Sequence, residues 1–144
     1  VVVGASGTII FSDNGGLAWT PVTPLVTNDL SDVTWNGLEF IAVGSDDTVL
    51  VSEDGQNWEQ FGTGTSDIAF EAVATGDVSV PTEPVLAAVG SSGDLVVTDT
   101  IDLLQVNTGT NEKLTGITWV DDGTTAYFVI VGNDGTVLTA QDQE

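Results

Sequence analysis

Carboxylates are the side chains with the most capacity for chemistry here: 22 of the 144 residues are Asp or Glu. Two of them at a defined separation could cleave a glycosidic bond, one as acid and the other as base or nucleophile. With so many candidates, spacing along the chain selects no pair. The adjacent acids Asp46-Asp47 and Asp121-Asp122, with Asn133-Asp134, offer the hard oxygen ligands that calcium takes. None of them follows an EF-hand loop or the nonapeptide calcium repeat, and solvated turn acids are the plainer reading.

The other reactive types are missing. With no His and no Cys, there is no Ser-His-Asp triad, no thiolate nucleophile, no usual haem ligation and no typical zinc site. Lys113 is the one basic residue and reads as a surface side chain rather than a Schiff-base former. Tyr127, the sole tyrosine, sits in Tyr-Phe-Val-Ile-Val and reads as a strand residue. No Walker-type phosphate loop occurs, and the Gly4–Gly7 pair reads as a hairpin turn. Apart from calcium, no cofactor is expected.

The formal charge is −21, whereas a small domain typically carries a magnitude of about 2–8. Such a surface repels phosphate backbones and anionic lipid, so nucleic-acid and membrane-surface partners are not expected. Cations and basic partners are favoured. At about 1 M salt the Debye length is only roughly 3 Å, so the composition suits a saline or extracellular setting. Apolar runs such as 127–131 are far short of the roughly 20 residues that span a bilayer, so no membrane insertion is expected. Hydrophobic residues make up 41%, enough for an ordered core despite the charge. The chain opens in a Val-rich run without signal-peptide character and without Met, which reads as a processed or excised segment.

The residues that could act must be placed by a repeat. Segments 2–12, 42–52, 88–98 and 130–140 align without a gap: Val-Gly, a polar turn, Thr or Asp, then alternating apolar residues. Their marker glycines, Gly4, Gly44, Gly90 and Gly132, are 40, 46 and 42 residues apart. β-Branched runs flanking Gly, Asp, Asn and Ser predict hairpins with tips at Ser6-Gly7, Asp46-Asp47, Ser92-Gly93 and Asp134-Gly135. Three hairpins are preceded by a large apolar residue three places before a β-branched one (Leu30 and Val33, Phe70 and Val73, Leu114 and Ile117), each predicting a further strand. Short strands are predicted at 20–22 and 59–61, and an irregular loop at 75–84. A full unit is therefore four antiparallel strands in about 40 residues, the size of a propeller blade, and no segment carries helical periodicity.

Between hairpin and short strand lie Ser12, Asn14, Gly16, Trp19 and, in shorter form, Ser52, Asp54, Gly55, Trp58. An Asp or Asn side chain can accept backbone N–H bonds across such a turn, Ser can do the same, and Gly supplies a positive φ. The two tryptophans are expected to fold back as core plugs; burying one removes about 150–250 Å² from water, worth at most roughly 4–6 kcal/mol. These segments resemble the Asp box, or bacterial neuraminidase repeat; the third copy, at Thr98–Thr100, and the fourth, at Ala140–Asp142, are degenerate. The Val-Gly hairpins and Leu-x-x-Val strands are similar to the photosystem II assembly-factor-like propeller family.

The resemblance implies an all-β fold, a β-propeller segment of about 3.5 four-stranded blades in a single repeat domain over 1–144, with approximate blades at 1–28, 29–66, 67–110 and 111–144. It implies structural roles for the Asp-box residues. It also implies a non-catalytic extracellular or periplasmic scaffold or binding module with a protein or glycan partner. Two alternatives stand beside it: a carbohydrate-active propeller, and a structural subunit that self-associates through its incomplete first and last blades. Sialidases share the Asp box but clamp their substrate carboxylate with arginines, which this chain lacks, so it is not a sialidase by itself.

Overall fold

The computed structural model describes residues 1–61, 67–76, 85–99 and 102–140, and its regular structure is all β, in four antiparallel sheets. The first holds β1 (Val2–Gly4), β2 (Thr8–Phe11) and β3 (Thr20–Pro21). The second holds β4 (Leu30–Trp35), β5 (Phe40–Gly44), β6 (Val49–Ser52) and β7 (Glu59–Gln60). The third holds β8 (Phe70–Gly76), β9 (Val85–Gly90), β10 (Asp94–Asp99) and β11 (Asp102–Asn107). The fourth holds β12 (Leu114–Asp121), β13 (Ala126–Gly132) and β14 (Val137–Ala140). Within every sheet the strands lie side by side in chain order. The chain forms two compact units, Val1–Ala69 with the first two sheets and Phe70–Glu144 with the last two.

Each repeat hairpin turns through two consecutive residues with positive φ: Ser6 and Gly7, Asp46 and Asp47, Ser92 and Gly93, Asp134 and Gly135. Left-handed residues at both central positions match the right-handed twist of the flanking strands. In the second and fourth sheets, Thr48 N–H donates to the Ser45 carbonyl (3.2 Å) and Thr136 N–H to the Asn133 carbonyl (3.0 Å).

The Leu-x-x-Val spacing has a geometric cause. Residues three apart in a straight strand point to opposite faces. In β4, β8 and β12 the register slips by one residue just after Leu30, Phe70 and Leu114. That bulge returns both apolar residues to one face. Leu30 and Val33 thus share one apolar cluster, and Leu114 and Ile117 share another.

In the first unit the core lies between the two sheets: Ile9 meets Leu30, Ala42 and Leu50, with Val26, Val33 and Trp58 packed around them. In the second unit Ala72, Ala87, Val89 and Leu95 meet Leu114, Phe128 and Ile130. The second sheet is buried on both faces, since Ile41, Val43 and Val49 on the side opposite Ala42 and Leu50 are also closed to solvent.

Several elements depart from the sequence reading. The short strands end one residue early, at Pro21 and Gln60, although Val22 and Phe61 still donate backbone bonds to Ile9 and Val49 at 2.9 Å each. Thr75 and Gly76, assigned to an irregular loop, belong to β8 and pair with Leu86 and Val85; the Trp119 ring lies over Gly76, where a Cβ would stand 2.5 Å from it. The rest of that loop, 77–84, lies outside the described residues. So do Thr100 of the third Asp-box copy and all but Ala140 of the fourth. At the degenerate third copy, β10 pairs with β11, Asp94 to Asp99 against Asn107 to Asp102.

Candidate functional site

The two Asp-box-like segments form closed hydrogen-bond turns. At Ser52 the hydroxyl accepts the Gly55 N–H at 2.9 Å and donates to Asp54 Oδ1 at 3.2 Å. Asp54 Oδ1 accepts the backbone N–H groups of Gln56 and Asn57, each at 2.8 Å, and Oδ2 accepts Asn57 Nδ2 at 2.7 Å. The Asn57 N–H foremost, then that of Gln56 and the Asn57 amide, hold the Asp54 carboxyl at about 2, well below its ordinary 3.8. In the first copy Ser12 accepts from Gly16 N–H (2.9 Å) and Asn14 from Ala18 N–H (2.9 Å). Gly16 and Gly55 both have positive φ, 87° and 73°. Gly55 serves a second purpose: a Cβ there would lie 2.9 Å from the Phe11 ring and 2.8 Å from Val1.

The tryptophans part company. Trp58 packs on the Ile9–Leu30 cluster, and its indole N–H donates to the Gly55 carbonyl at 3.1 Å. Trp19, expected as a second core plug, is 43% exposed, with Cζ2 only 3.5 Å from where a Cβ on Gly16 would lie. Trp58 packs on a cluster built by both sheets of its unit, and Trp19 is not among the residues packed on that cluster.

The marker glycines are not turn residues. Gly4, Gly90 and Gly132 have extended φ of −172°, −150° and −154°. Gly44, Gly90 and Gly132 lie opposite the first residue of β4, β8 and β12. A Cβ on Gly44 would sit 2.0 Å from the Asp29 carbonyl oxygen, and one on Gly132 2.6 Å from that of Lys113. At Gly4 the nearest atom is Thr8 Cβ, 3.9 Å away.

The acids proposed for calcium are engaged in turns. Asp46 Oδ2 accepts Asn28 Nδ2 at 3.0 Å, and Asp47 donates its N–H to the Ile68 carbonyl at 2.7 Å. Asp121 accepts Gly123 N–H, while Asp122 accepts the N–H groups of Thr124 and Thr125, each at 2.8 Å. Those bonds, Thr125 first, lower the Asp122 carboxyl below its ordinary range. Among the described residues no three metal-ligating side chains cluster. Lys113 pairs with Glu71, the residue at the β8 bulge, at 2.7 Å.

One concavity of the first unit was not foreseen. Phe11 and residues 20–25 form one wall and Gln56, Asn57 and Trp58 the other, around an open groove of about 460 Å³. The two walls are more than thirty residues apart in sequence and include no reactive type, so spacing gave no signal for them. Among the described residues no helix is long and apolar enough to cross a membrane. Comparison with known proteins found no matching family model, no matching curated protein and no matching solved structure.

Proposed function

We propose that this chain is a run of Asp-box type β-propeller blades serving, outside the cytoplasm, as a non-catalytic scaffold or binding module. The observation that carries the reading is the recurrence of one device: a bulged strand, a left-handed hairpin opposite it, and in two copies a serine-anchored turn, closed by the amide of Asn14 in one and the carboxylate of Asp54 in the other. The hydroxyl and carboxylate in that turn are consumed by backbone N–H groups, which suits a building part better than a reaction centre. Apolar residues on both faces of the second sheet suit a repeat architecture, in which each unit packs on its neighbours. Incubation with neutral and sialylated glycans tests the catalytic question. Retention without release of reducing sugar fits the proposal; release that vanishes on substituting a single carboxylate overturns it.

Self-association is a second reading, favoured by one observation. Among the described residues β1 pairs on one side only, and Gly4 has open space where Gly44 and Gly132 meet a neighbouring backbone. An extended strand of a second copy would cover that edge by strand addition. Light scattering on the eluting peak discriminates: a mass of 14.9 kDa at high concentration is the monomer and removes this reading.

A further inference from the structure

We propose that the groove between Phe11 and the Ser52–Trp58 turn is a binding site for an uncharged saccharide, an inference that rests on reading the chain as a binding module. Three observations converge on it. The chain carries 22 acids, yet no residue lining this groove is ionisable. An anionic ligand is repelled by the molecule's field, and a cationic one finds its counter-charges elsewhere. The lining is also amphipathic: Phe11 and Trp58 supply aromatic carbon, while Thr20, Thr23, Gln56 and Asn57 supply hydroxyl and amide groups. A purely apolar occupant would strip water from those polar groups without replacing their hydrogen bonds. A sugar ring satisfies both kinds of surface, with C–H faces for the aromatic rings and hydroxyls for the amides.

The third observation is preorganisation. The indole N–H of Trp58 is bonded to the Gly55 carbonyl, and the Asn57 amide is bonded to Asp54 Oδ2, so both side chains are oriented before any ligand arrives. Phe11 lies against the Gly55 backbone, which only a glycine there permits. Fixed side chains lose little freedom on binding, the largest avoidable cost in a small site. The volume of about 460 Å³ falls within the roughly 300–1,000 Å³ of small-ligand sites. In this view the serine–acid turn has a consequence beyond the fold: it sets the position of one wall of a site.

The test uses the isotopically labelled whole chain, titrated with soluble cello-, xylo-, laminari- and manno-oligosaccharides while backbone amide signals are followed. The expected result is that at least one series shifts signals at 20–25 and 56–58, saturating at millimolar concentration. Gln56→Ala, whose side chain is exposed, should bind that sugar roughly tenfold more weakly, the worth of one neutral hydrogen bond. Trp19→Ala, outside the groove, should bind as the parent does. Absence of shifts at the groove with every sugar overturns the proposal, as do shifts there only with tetramethylammonium or a proline-rich peptide. So does sugar binding that maps elsewhere, an outcome that leaves the reading as a binding module standing and thereby separates the two failures.

Discussion

At the scale of single residues, the serine–asparagine turn at Ser12 and the serine–aspartate turn at Ser52 are alike in pattern and unequal in weight. Ser52 is 4% exposed, and the Gly55 N–H it receives is buried. Removing the hydroxyl leaves that donor without a partner, so Ser52→Ala should cost about 1–3 kcal/mol in urea unfolding. The corresponding bond at Ser12 is exposed, where water replaces it, and Ser12→Ala should cost less than about 1 kcal/mol. Asp54 adds a pH signature. Its carboxyl titrates at about 2 when folded against 3.8 ordinarily, so the charged form favours the folded state. That contribution is complete above the unfolded value and disappears as pH falls through about 2. The stability gap between the parent and Asp54→Asn should therefore close between pH 5 and pH 2, with Asp13→Asn in the first turn as the control for charge alone. Asp134 makes a prediction about backbone conformation. Its φ of 53° is one that Asp tolerates and a β-branched side chain resists, so Asp134→Val should lower stability by about 1–2 kcal/mol in the same assay.

At the scale of elements, the hairpin and the strand before it are one device, joined at the marker glycine. Gly44→Ala would drive a methyl group to 2.0 Å from the Asp29 carbonyl oxygen, with Leu30 Cα only 2.9 Å away. Backbone must move, at a cost of about 1–3 kcal/mol or more. Gly4 occupies the same repeat position with extended φ and only Thr8 nearby, so Gly4→Ala should change stability by less than about 0.5 kcal/mol. Thermal unfolding of the two variants side by side checks this, and equal losses would mean that the glycine serves the hairpin rather than the neighbouring strand. This device also marks what was legible in the sequence. Hairpin tips were, because Gly, Asp and Ser doublets between β-branched runs have a local cause. The four sheets followed from their repetition. The glycine's true role was not, since close approach to another strand leaves no local trace. The partial burial of Trp58 and the exposure of Trp19 were equally hidden: both motifs end in the same residue, and packing on a distant cluster leaves no local trace. The groove escaped for a like reason, as it is assembled from two segments and holds none of the residue types that spacing arguments search for.

At the scale of the whole molecule, charge competes with burial. The formal charge of −21 is spread over sheets whose tips carry adjacent acids, Asp46 with Asp47 and Asp121 with Asp122. Unfolding lets these charges move apart, so their mutual repulsion acts against the compact state. Lys113 and Glu71, 2.7 Å apart and both partly exposed, make a single attractive pair that cannot offset it. Added salt screens attraction and repulsion alike, but here there is far more repulsion to screen. The Debye length falls from about 30 Å at 0.01 M to about 10 Å at 0.1 M, which weakens repulsion among acids that are not in contact while the contact pair is screened less. The melting temperature should therefore rise with sodium chloride, and most steeply below about 0.1 M, where screening changes and salting-out does not yet act. Scanning calorimetry at fixed pH in that range is decisive. Lys113→Gln should steepen the early rise, since the chain then has no attractive pair to lose. A melting temperature that is flat below 0.1 M and climbs only with molar sulfate would show instead that the acidic surface is neutral towards folding, and that salt acts on this protein through its apolar core.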